Sequence, residues 1–181
     1  MSGCQIRVIF RYKIWPFRLL GIISSFAVGK AIRWGIVVQN KVNHNVIRVV
    51  IADDHPILRH HIQHLFASTK DIRVVGEAGN GYEAIQLVEQ LNPDILLLDI
   101  EMPEMNGILV AKVLEAMSAD VKTVILSSYC DREFVESVLQ YRVSGYIVKD
   151  DAPMVLISAL REIASSGNQW FSRRIQEVMN L

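Results

Sequence analysis

LLLDIEMPEMNG, residues 96–107, is a short apolar run that stops at an acid and breaks into a turn. Three leucines without a polar interruption suit a strand buried on both faces, because a half-exposed strand would alternate polar and apolar residues. Asp99 then stands where the strand leaves the core, and Met102-Pro103-Glu104-Met105-Asn106-Gly107 has turn chemistry that keeps that acid open to a reactant. A buried strand ending in an acid predicts a parallel sheet whose chemistry lies beyond the carboxyl ends of its strands.

The flanking sequence repeats the pattern. Strands are expected over Val46 to Ala52, Ile72 to Ala78, Asp94 to Leu98, Val121 to Ser127 and Gly145 to Val148. Helical spacing lies between them. Pro56 opens a helix with Leu58, Ile62, Leu65 and Phe66 on one face, and Gly81 to Leu91, Gly107 to Met117 and Arg132 to Gln140 follow. Pro153 opens the last, with Leu156, Ala159, Leu160 and Ile163 recurring at helical intervals. Five βα units predict an α/β fold with a doubly wound parallel sheet and helices on both faces.

The strand ends deliver a particular set of side chains to one edge. Asp53 and Asp54 follow the first strand, Asp99 the third, Ser127 and Ser128 the fourth, and Lys149 the fifth. Three carboxylates in one crevice repel one another, and a hard divalent cation relieves the repulsion; Mg²⁺ suits a few oxygen donors that leave room for water and phosphate. An anion held between that cation and Lys149, within reach of a serine hydroxyl, is most simply a phosphoryl group, with Asp99 as its acceptor. Singly these features are bland, since acids after a strand solvate a loop or cap a helix and a lysine there is ordinary surface. Their convergence from four strand ends is what points to chemistry.

VVIADDHPILR at 49–59, LLLDIEMPEMNG, VILSSY at 124–129 and GYIVKDDAP at 145–153 resemble, in order and spacing, the motifs of the response-regulator receiver domain of two-component systems. The resemblance covers about residues 46–166 and is closest to receivers of LuxR-type (NarL/FixJ-like) regulators. It implies a flavodoxin-like five-stranded sheet in the order 2-1-3-4-5. It also implies phosphoryl transfer from a sensor histidine kinase, or a phosphotransfer protein, onto Asp99, in a switch that is not itself an enzyme. By the same resemblance Asp54 binds Mg²⁺ directly, Asp53 supports the ion largely through water, and the backbone carbonyl of Glu101 completes the coordination. Ser127 and Lys149 contact the phosphoryl oxygens, and Tyr146 is the aromatic whose rotamer reports phosphorylation. Asp150 departs from the proline that many receivers carry in a cis peptide after the lysine, and Ser128 from a more usual Ala or Gly.

Two other readings of the acids compete. A haloacid dehalogenase-type phosphatase resembles DxDxT, which wants Asp at 101 and Thr at 103, where this chain has Glu101 and Pro103. A flavodoxin needs a phosphate loop after the first strand, where Asp53 and Asp54 would repel the phosphate.

Composition sets the remaining expectations. The 181 residues carry 19 Lys+Arg and 19 Asp+Glu, but residues 1–52 hold eight basic residues and no acid, whereas 53–181 hold eleven against nineteen, a net of −8. The acidic part is a poor match for a nucleic-acid backbone. Residues 1–45 read as a basic, apolar extension, unstructured or spurious, with contact at an anionic membrane surface as the second reading. Their longest uncharged run, Leu19 to Gly29, has 11 residues, too short to span a bilayer. Cys4 and Cys130 build no disulfide framework, so a reducing, cytoplasmic setting is expected. His60 and His64 lie four apart, a zinc-compatible spacing, but with no third ligand evident they read as ordinary helix polarity. Residues 167–181 begin like the linker of LuxR-type regulators, and Ile175, Val178 and Met179 suit a short helix. Nine residues after Ser172 are too few for a helix-turn-helix, so the chain as given is expected to bind no DNA. It should act through protein contacts near Tyr146, with a second copy or another regulator.

Overall fold

In the computed structural model, which describes residues 46–180, apolar side chains of the inner strands alternate between the two faces of one sheet. Strands β1 (Ile47–Ala52), β2 (Ile72–Ala78), β3 (Ile95–Leu98), β4 (Lys122–Ser127) and β5 (Gly145–Val148) run parallel. Val49, Ile51, Ile95, Leu97, Val124, Leu126 and Ile147 face one core; Val50, Ala52, Leu96, Leu98, Ile125, Tyr146 and Val148 face the other. The period of two explains why the sequence shows unbroken apolar runs, since every position is covered from one side or the other.

Helices α1 (Pro56–Ala67) and α5 (Ala152–Ser166) cover the first face with Ile62, Phe66, Leu156, Leu160 and Ile163. On the second face α2 (Gly81–Leu91), α3 (Gly107–Ala116) and α4 (Arg132–Leu139) pack Ala84, Val88, Val110, Leu114, Val135 and Val138. Local chemistry sets their ends. Asn80 and Asn106 accept hydrogen bonds from the Glu83 and Leu109 amides at 2.9 and 3.0 Å, Pro56 begins α1, and Gly167 at φ 72° closes α5.

The strand order is 2-1-3-4-5 as expected, but the sheet has a sixth member. Trp170–Phe171 forms β6, parallel to β5, and Arg173–Met179 forms α6, so the count of five strands is corrected. The segment read as linker holds on because Ile175 is fully buried in the α2–α3–α4 core and Ser172 N–H donates to the Tyr146 carbonyl at 3.0 Å. Gly145 makes room for it: a Cβ there would lie 2.7 Å from the Trp170 carbonyl oxygen. No helix among the described residues is long and apolar enough to cross a membrane. The expectations for residues 1–45 lie outside the described residues.

Candidate functional site

β1 and β3 end side by side, β5 ends on the same edge beyond β4, and their last residues hand over to Asp53, Asp99 and Lys149. Asp99 N–H donates to the Ala52 carbonyl at 2.8 Å, and Asp53 N–H to that of Ala78 at 3.1 Å, so both acids sit where the ladder ends. The turn after Asp99 folds back tightly: Gly107 N–H bonds the Ile100 carbonyl at 2.9 Å, and a Cβ on Gly107 would collide with the Asp99 carbonyl oxygen at 2.1 Å. Glycine is therefore required for α3 to begin beneath the acid.

Lys149 Nζ lies 2.8 Å from Oδ2 of Asp53 and 2.8 Å from Oδ2 of Asp99. Both acids are buried, at 1% and 2% exposure. Their other oxygens take main-chain donors, His55 N–H for Asp53 and Ile100 N–H for Asp99, each at 2.8 Å. The two Oδ2 atoms have no directed hydrogen bond, only the ammonium between them. Burial pushes the Asp99 carboxyl above the usual range, against the opposing pull of Lys149. Burial would lower Lys149, but its contacts with Asp53 and Asp99 outweigh it and hold the amine above the ordinary lysine value. One cation thus serves two buried anions, and the site carries excess negative charge.

That excess fits a small hard cation. Ligand atoms of Asp53, Asp54, His55 and Asp99 all lie within 4.8 Å of one another, and carboxylate oxygens are the donors such an ion takes. Asp54 is exposed and paired with His55 Nδ1 at 2.6 Å. Glu101 is exposed, and its side chain points to a neighbour: the Tyr129 hydroxyl donates to its carboxylate at 2.6 Å.

Ser127 and Tyr146 stand beside this group without touching Asp99. Ser127 Oγ accepts from the Tyr129 amide at 3.2 Å, and the Tyr146 hydroxyl donates to the Tyr129 carbonyl at 2.7 Å. Tyr146 is fully buried, and burial first, with nearby negative charge, pushes its phenol up to about 12, so it remains a donor at any physiological pH. The peptide after Lys149 is not cis, as no cis bond occurs among the described residues.

Two residues that sequence reasoning passed over belong to the site. His55 bridges both acids of the Asp53-Asp54 pair, at 3.3 and 2.6 Å, and its position directly after them was the available signal. Tyr129 joins Glu101 to Tyr146 and stacks on Phe134 with ring centroids 4.6 Å apart. Nothing in the sequence distinguishes it from any loop aromatic.

Residues 49–161 match the family model for the response regulator receiver domain. Over 129 residues the chain is 36% identical to the transcriptional regulatory protein DegU of Brevibacillus brevis, covering 71% of this chain and 55% of that protein. It is 36% identical to the nitrate/nitrite response regulator protein NarL of Escherichia coli K12, covering 76% and 63%. A LuxR-family two-component response regulator from an Aurantimonas species superposes with a TM-score of 0.70 at 27% identity, over 75% of this chain and 96% of that one. The chain spans a little over half of the length of these two curated relatives.

Proposed function

The chain belongs to the response-regulator receiver family, and from that premise we propose that Asp99 takes a phosphoryl group from the phosphohistidine of a sensor kinase or phosphotransfer protein. The observation that carries this reading is the pair of buried carboxylates, Asp53 and Asp99, held 2.8 Å from one lysine at the ends of adjacent strands. An Asp99 oxygen attacks phosphorus, the P–O bond forms as the P–N bond breaks, and the donor imidazole, protonated on its other nitrogen, leaves as a neutral ring. Asp53, Asp54 and Asp99, with the Glu101 carbonyl, would hold Mg²⁺, which when bound would supply neutralising charge for the carboxylates and the incoming phosphoryl oxygens. Lys149 supplies the fixed positive charge that remains when Asp99 becomes an acyl phosphate.

Ser127 carries the signal outward. Its Oγ accepts from the Tyr129 amide and its hydroxyl neighbours the Tyr146 phenol, so any shift of that hydroxyl toward a phosphoryl oxygen pulls on the Tyr129 amide. The carbonyl of the same residue holds the Tyr146 hydroxyl, so the loop and the buried ring respond together. The output is a change in the surface around Tyr146, read by a second copy or another regulator in the cytoplasm. The net charge of −8 over residues 53–181 favours a protein over DNA as the immediate partner.

Acetyl phosphate and Mg²⁺ test the proposal on the full chain. Intact-mass spectrometry should show one added phosphoryl group, and Asp99→Ala none. Equal labelling of that variant would overturn it.

A further inference from the structure

The sequence PILRHHIQHLFA of α1 turns Ile62 and Phe66 into the core and leaves His60 and His64, four residues apart, on the solvent side. Spacing alone makes them neighbours on a helix surface and nothing more. The structure adds that the two rings turn their nitrogens toward each other. Nε2 of His60 lies 3.0 Å from Nε2 of His64, with centroids 4.4 Å apart and the planes at 83°.

Two neutral imidazoles in this arrangement share one proton, an N–H on one ring directed at the lone pair of the other. Both rings are exposed and have water as an alternative partner. Imidazole nitrogens bind zinc at about 2.0–2.1 Å, and at that range atoms 3.0 Å apart subtend about 95° at a shared ion, between the octahedral and tetrahedral angles. No rearrangement of the helix is needed to place one ion against both.

We propose that His60 and His64 form a two-nitrogen chelate for a borderline divalent transition cation such as Ni²⁺ or Zn²⁺, separate from the carboxylate pocket. The imidazole pair selects the ion class. Nitrogen donors favour Ni²⁺, Cu²⁺ and Zn²⁺, whereas Mg²⁺ prefers the oxygen donors of Asp53, Asp54 and Asp99. Among the described residues no third His, Cys, Asp or Glu joins the pair, so water fills the other coordination positions. Binding replaces the shared proton without net release, because the donating ring moves its proton from Nε2 to Nδ1 while both Nε2 lone pairs turn to the ion. The ion then staples one turn of α1, the helix that begins directly after Asp54 and His55.

Calorimetric titration of the full chain with Ni²⁺, in excess Mg²⁺ to compete at the carboxylates, tests this. The wild type should bind, and His60→Gln and His64→Gln should each lose at least the roughly 10–100-fold that removing even an outer partner of a metal ligand costs. Asp54→Ala should bind Ni²⁺ as the wild type does. Ni²⁺ should also raise the thermal midpoint of the wild type and not of the histidine variants, which remain folded because both positions are exposed. Absence of wild-type binding, unchanged affinity in the histidine variants, or loss of binding in Asp54→Ala would each overturn the site.

Discussion

Asp99 is the residue on which the electrostatics turn. Its folded-state carboxyl is raised, so the stability of its protonated form is fully present below the ordinary carboxylate range and is lost as pH rises through the raised value. At neutral pH the ionised group therefore costs stability, and Asp99→Asn should stabilise the protein by about 1–2 kcal/mol, since Lys149 keeps Asp53 as partner. Urea unfolding at neutral and acidic pH checks the sign, because the advantage should shrink as pH falls. Lys149→Met should do the opposite, costing about 3–5 kcal/mol at neutral pH by leaving two buried acids unpaired. That loss should narrow in acid as Asp99 protonates. A larger loss in acid would show that the lysine acts by packing and not by charge. The positions of Asp53, Asp99 and Lys149 were legible because strand ends in a parallel sheet share an edge. The links through His55 and Tyr129 were harder to read, because they depend on how loop residues place a ring or a carbonyl, which no periodicity encodes.

At the scale of elements, β6 and α6 show where pattern reading stops. The inner strands declare themselves because each is packed on both faces, and the helices because their apolar stripes have a period near 3.6. β6 is two residues long, and Trp170 and Phe171 carry too little sequence to show alternation. α6 showed in its spacing, but its docking depends on one side chain, Ile175, entering a core built by α2, α3 and α4. Ile175→Ala should cost about 2–5 kcal/mol, a loss typical of a buried isoleucine and far larger than a solvated linker would show. Denaturant unfolding would measure it, and a change within error would mean that α6 does not hold its place in solution. The same segment touches the residue proposed as the switch, since Ser172 N–H bonds the Tyr146 carbonyl.

For the whole molecule, one sheet with two covered faces places every proposed site residue between 53 and 149. A chain beginning at Val46 is therefore expected to unfold cooperatively and to take up phosphate as the full chain does. Insolubility or lost uptake would make residues 1–45 part of the domain. The central claim is narrower than the fold: that among the acids gathered at this edge Asp99 is the acceptor. Reducing the acetyl-phosphate-treated protein with borohydride converts an aspartyl phosphate to homoserine, and tandem mass spectrometry of the peptides locates it. The account predicts homoserine at position 99 alone; homoserine at 53 or 54, or at no acid of the site, would contradict it.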